Sequence, residues 1–146
     1  MKRILLALIL AVPFCSVVSA HPYSPPTLDW LPRSDAVYLV TVDSIKVLND
    51  GFKTETVKFL TTEVLSGKSQ DSLTLTAVEG FTFTPHAKYI LIHNPGGFKD
   101  CVGWTIEGDP EWWPIAVTGD GDVATAKPLG SLSEIRQYLS DHPKKP

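Results

Sequence analysis

Between Ala36 and Val117 the chain alternates apolar and polar residues in short runs, most of them closed by a glycine- or proline-bearing turn signal. A two-residue period puts every second side chain on the same face, so these runs fold as strands with one buried side rather than as helices. Ala36 to Val42 is nearly continuous in branched residues and Tyr38, and alternation then carries on through Ile45 and Val47. Asn49-Asp50-Gly51 follows, and Asp-Gly accepts the positive φ that a tight hairpin demands. A second strand runs from Thr54 to Leu65, with Val57, Phe59 and Thr61 on one face and Lys58, Leu60 and Thr62 on the other; Ser66-Gly67-Lys68 ends it. Leu73, Leu75 and Ala77 alternate with Thr74 and Thr76 as a third strand, and Lys88 to His93 forms a fourth, closed by Asn94-Pro95-Gly96-Gly97. Trp113 to Val117 is a fifth, which Gly119-Asp120-Gly121 turns into Val123 to Ala126.

The period then changes. Ser131-Leu132-Ser133-Glu134 is a capping box, in which the serine hydroxyl and the glutamate carboxylate each satisfy the other's free amide. Leu132, Ile135 and Leu139 recur at helical spacing beyond it, and Pro143 stops the helix at about residue 141. Five or six short strands with one terminal helix at about 131–141 give a mainly all-β class. The long first hairpin followed by shorter strands favours a five- to six-stranded OB-like barrel over residues 34–142.

Two segments precede that domain. Residues 1–20 read as a signal peptide: Lys2 and Arg3 supply the positive start, Ile4 to Val12 the apolar run, and Val18-Ser19-Ala20 the small-residue cleavage pattern. The apolar run, broken by Pro13 and Ser16, falls short of the roughly 20 residues a bilayer crossing takes, so export with cleavage after Ala20 is expected, to a periplasm or the outside of the cell, with no stable membrane span afterwards. Residues 21–33 hold Pro22, Pro25, Pro26 and Pro32, a density that excludes an α-helix and favours an extended lead-in.

Cleavage removes two of 13 basic residues and none of the 16 acidic ones, taking the net charge from −3 to −5. A nucleic-acid partner is excluded on that balance, since binding a polyanion takes a basic stripe and only Lys144 and Lys145 are adjacent here. Cys15 leaves with the signal, so Cys101 is a single free thiol with no disulfide framework around it. Such a cysteine is a buried thiol, a reactive one or a bond to another chain, and the first comes foremost because free cysteine is ordinarily buried and inert.

Three stretches carry a resemblance. Ser34-Asp35-Ala36-Val37-Tyr38-Leu39-Val40-Thr41-Val42 resembles the first strand of bacterial netrin-like domains, the group related to tissue inhibitors of metalloproteinases. Thr62-Glu63-Val64-Leu65-Ser66-Gly67-Lys68 is similar to that group's "E-V-L-K-G" ending of the second strand, and Lys88-Tyr89-Ile90-Leu91-Ile92 to its "R-Y-L-L-F" strand. The matches keep the family's order over roughly half of the exported chain. They imply an OB-fold barrel outside the cytoplasm that binds or inhibits rather than catalyses. The family's frequent N-terminal C-x-C is replaced by His21-Pro22-Tyr23-Ser24, and His86 stands where a glycine is expected. Zinc chelation by an N-terminal cysteine is therefore not carried over.

The candidate chemistry is sparse. His21, as first exported residue, offers a terminal amine and an imidazole that together suit Cu²⁺; a second imidazole would have to come from His86 or His93, with His142 too near the tail. The simpler account is that His21 is only the residue after the cut. His86, in a turn, and His93, at a strand end, read as hydrogen-bonded histidines. Glu107, Asp109, Glu111, Asp120 and Asp122 are acidic enough for Ca²⁺ but lack the D-x-D-x-D-G pattern, and Gly119-Asp120-Gly121-Asp122 is explained by turn chemistry. Phe98, Trp104, Trp112 and Trp113 concentrate aromatic area. Neighbours on a strand point to opposite faces, so one of Trp112 and Trp113 is expected to stay available for a sugar or a protein. No G-x-S-x-G, H-E-x-x-H, C-x-x-C or phosphate-binding glycine loop occurs, and no cofactor is implied. The expectation is an exported, non-catalytic binding module of netrin-like type for a protein or envelope partner, its contact surface at Phe98, Trp104, Trp112 and Trp113. The alternative is a secreted domain that binds copper through His21 or carbohydrate through the tryptophans.

Overall fold

The computed structural model describes residues 26–48, 51, 54–77, 82–95 and 111–144. Seven strands and one α-helix follow a short 3₁₀ segment: β1 (Ala36–Leu48), β2 (Thr54–Ser66), β3 (Ser72–Ala77), β4 (Lys88–His93), β5 (Trp112–Val117), β6 (Thr125–Ala126), β7 (Gly130–Ser131) and α1 (Leu132–Asp141). The class is all-β. Five strands form one antiparallel sheet in the order β3-β2-β1-β4-β5, and β6 and β7 form a small second sheet.

The alternation seen in the sequence sorts the side chains as expected. Val57 and Phe59 are fully buried while Leu60, between them and Thr62, is exposed. Three register irregularities in the β1–β2 pairing add local twist and coil the sheet. Its inner face gathers Tyr38, Val42, Phe59, Leu75, Leu91 and Trp112 from all five strands. Phe83, from the β3–β4 connection, plugs that face, its ring edge-on to Phe59 at 5.1 Å and to Tyr89 at 5.0 Å. Burying a side chain of this size contributes about 1.5–3 kcal/mol.

Among the described residues the outer face is most deeply buried along β1, β4 and β5. Val37, Ile90, Ile92 and Ile115 pack there against Leu31 of the 3₁₀ segment, Leu129, and Leu132 and Ile135 of α1. The capping box forms as expected: the Glu134 amide donates to Ser131 Oγ at 3.2 Å and the Ser131 amide to Glu134 Oε2 at 2.7 Å. These bonds hold the Glu134 carboxyl below its usual range. Arg136 of the same helix reaches β2, with Nε 2.9 Å and Nη2 2.7 Å from the two Glu63 oxygens, and its Nη1 meets Asp122 at 3.1 Å.

One expectation needs correction, and another is met in its class but not in closure. The lead-in is not extended to residue 33: Leu28–Arg33 is a 3₁₀ helix with Pro32 inside it, anchored by the fully buried Leu31. Proline excludes an α-helical interior but fits a short 3₁₀ turn, whose chain direction is set here by burial. Nor do the pairings close a barrel, since among the described residues β3 and β5 are the two edges of an open sheet. Pro114 in β5 has no amide hydrogen to offer a closing strand. The sixth strand is cut back to Thr125–Ala126 because Gly121–Val123 turns as a 3₁₀ helix.

Candidate binding surface

One end of the sheet carries a polar cluster built by strand register. His93 ends β4 between Ala36 of β1 and Trp112 of β5. Two backbone bonds bring an acid to each side of it: the Asp35 amide donates to the His93 carbonyl, and the Asn94 amide to the Glu111 carbonyl, both at 2.8 Å. In consequence His93 Nδ1 lies 3.4 Å from Asp35 Oδ2 and Nε2 lies 3.3 Å from Glu111 Oε2. The ring donates to one carboxylate as a neutral tautomer and to both as an imidazolium. Its face lies on Trp112, centroids 4.5 Å apart, and Trp112 stacks in turn on Tyr38 at 6.2 Å. Tyr38 donates its hydroxyl to the Lys68 carbonyl at 2.8 Å.

Gly67 keeps this end of the sheet close-packed. It sits at φ +94°, and a Cβ there would come within 2.7 Å of the Asp35 carbonyl oxygen and 2.8 Å of Ala36 Cβ. Only glycine meets both demands. Lys144, from beyond α1, completes the cluster at 3.4 Å from Asp35 Oδ1. Hydrogen bonds from Lys144 and then His93 hold the Asp35 carboxyl below its usual range, with burial opposing weakly. Burial, and then the Asp35 charge, push the Tyr38 hydroxyl up.

Two depressions adjoin the cluster and share Arg33. The larger, about 710 Å³, lies between the 3₁₀ segment and the end of α1, with Pro32, Tyr138, His142, Pro143 and Lys144 in its wall. The smaller, about 310 Å³, is lined by Trp30, Arg33, Ser34 and Asn94. Tyr138 and His142 stack at 4.2 Å, and Arg33 pairs with Asp29 at 3.2 Å. Trp30 is half-buried, edge-on to Trp113 at 6.4 Å, which ties the rim of this surface to the outer core.

The residues singled out in the sequence fare unevenly. Trp112 and Trp113 do point to opposite faces, but both faces carry a core, so Trp112 is 9% and Trp113 2% exposed. Neither offers a ring face as free contact surface, which corrects the expectation for that pair. Phe98, Trp104, Cys101, His21, Glu107 and Asp109 lie outside the described residues. His86 sits in the turn before β4, with its amide on the Val42 carbonyl at 3.1 Å. The acids disperse: Glu111 faces His93, Asp120 pairs with Lys88 at 3.0 Å and Asp122 with Arg136. Among the described residues no group of three His, Cys, Asp or Glu side chains is placed to hold a metal ion. No helix among them is long and apolar enough to cross a membrane. Asp35, Lys144, Trp30 and Tyr138 were not readable as site residues, because nothing local marks them.

Comparison with protein-family models, with curated proteins and with solved structures finds no match to this chain.

Proposed function

We propose that the chain is an exported, non-catalytic binding module of netrin-like type, and that a protein or envelope partner docks where the 3₁₀ segment, the end of β4 and the end of α1 meet. The observation that carries this reading is the pair of adjoining depressions sharing Arg33, with Trp30, Tyr138 and His142 beside them. Protein contact surfaces are enriched in aromatic residues and arginine. Arg33 and Lys144 already have acidic partners, so a docking protein covers paired charges rather than isolated ones, the less costly case. Two further features support the reading. The sheet order is the one an OB-type Greek-key barrel gives when unrolled between its third and fifth strands, and residues 1–20 have the layout of an export signal.

Site-specific photo-crosslinking in the exporting cell tests it. A crosslinking amino acid at Tyr138 is expected to give a discrete adduct, whereas the same probe at Val47, 55% exposed on the far hairpin, gives none. Equal adducts at both positions, or none at Tyr138, would remove the reading.

A further inference from the structure

The two edges of the sheet are not alike. Thr61 donates its amide to the Asp71 carbonyl at 2.9 Å, and the register continues as Phe59–Leu73, Val57–Leu75 and Glu55–Ala77. Hydrogen-bonded and non-bonded positions alternate along an antiparallel pair. Leu73, Leu75 and Ala77 therefore turn their backbone polar groups to β2. Ser72, Thr74 and Thr76 turn theirs off the edge, their side chains are exposed, and no described strand pairs there.

At the opposite edge the phase is set by the Asn94 amide on the Glu111 carbonyl. Pro114, opposite Leu91, then falls at a non-bonded position, with its nitrogen directed off the sheet and no hydrogen to give. The outer half of β1, beyond its pairing with β4, carries a register irregularity between Val42 and Ser44 and a lysine at Lys46. Bulges, lysines and prolines are the devices that keep edges from pairing. β3 has none of them.

We infer that two copies of this chain pair antiparallel through β3, joining their sheets across a two-fold axis. The occupant of the edge follows from the contrast. Stacking β3 of one copy on β5 of the next is head-to-tail and ends only if a ring closes, and Pro114 withholds a donor from that contact. β3 on β3 closes after two copies. The strand is neutral from Ser72 to Ala77, so no like charges oppose one another. With every outward residue used on both strands, Thr74 faces Thr74 of the second copy, Ser72 faces Thr76, and Leu73 faces Leu75. The inference goes beyond the partner-binding reading and uses none of its residues.

Sedimentation of the full exported chain over a concentration series tests the pairing. The wild-type chain is expected to dimerise reversibly. Thr74→Pro is expected to be monomeric with unchanged circular dichroism and the melting temperature of the wild-type chain diluted to monomer, because the Thr74 amide bonds nothing in β2. Thr74→Lys and Thr74→Glu each set like charges face to face and are expected to weaken self-association by about tenfold or more, while an equimolar mixture of the two dimerises again. A wild-type chain that is monomeric at about 1 mM, or a dimer that survives all three substitutions, overturns the inference. So does a monomeric wild-type chain that takes up an extended foreign peptide in a Thr74→Pro-sensitive way, since the edge then serves another protein's strand.

Discussion

The inner and outer faces of the five-stranded sheet are buried by different means. The inner face is filled by the sheet itself: all five strands supply its side chains, and among the described residues Phe83 and Ala87 add to it from a connection. The outer face depends on imported parts, the 3₁₀ segment, the β6–β7 corner and α1, and among the described residues of the five-stranded sheet its fully buried side chains lie on β1, β4 and β5, with Leu65 of β2 at the margin. On β2, beyond that cover, Leu60 stays 41% exposed. A face filled by the strands' own side chains loses its burial only when the strands come apart. A face sealed by a docked helix can lose it while the sheet survives. The candidate binding surface stands on both, since His93 and Trp112 belong to the sheet and Tyr138, His142 and Lys144 to the docked tail.

Four measurements test that contrast. Phe59→Ala removes a fully buried ring that contacts Phe83 and is expected to cost about 3–5 kcal/mol, seen as a large fall in the denaturant midpoint of the whole domain. Ile135→Ala, at the fully buried centre of the α1 contact, costs about 2–5 kcal/mol. Hydrogen exchange in that variant is expected to rise in α1 and the 3₁₀ segment well before β1 and β2. Uniform acceleration across the sheet would show that the two faces are one cooperative unit. Ser131→Ala, which removes the capping hydroxyl, is expected to cost about 1 kcal/mol, with the loss confined to α1 protection.

The smallest effect is acidic. The Asp35 carboxyl is held below its usual value by Lys144 and His93, so its contribution is complete above the unfolded value of about 3.9 and is lost as pH falls through the lower, folded value. Asp35→Asn is expected to lower stability above about pH 4, with the gap to the wild-type chain closing as pH falls below it. A gap that widens on acidification would show that the Asp35 contacts do not favour its charged form.

Strand periodicity made β2 and β3 readable almost to the residue, because they alternate buried and exposed side chains, while β4 and the first half of β1 were readable as short apolar runs buried on both faces. α1 was readable from its own cap. The 3₁₀ segment and β7 were not: two to six residues hold too little period to register, and what fixes Leu28–Arg33 is the burial of Leu31 against distant strands. The opposite orientation of Trp112 and Trp113 was legible locally. Their shared burial was not, since it depends on α1 and on the coil of the sheet. The polar cluster was least legible of all. Glu111 lies 18 residues from His93, and Lys144 lies 109 residues from Asp35, so register and the returning tail assemble what no local motif announces.

That returning tail has one more consequence. Lys144 meets Asp35 at the threshold of β1, so the domain is entered and left through a single doorway. A short bridge from the end of α1 to the 3₁₀ segment, which share a depression with Asp29 and Lys144 in its wall, would accordingly join the two without pulling any strand out of place.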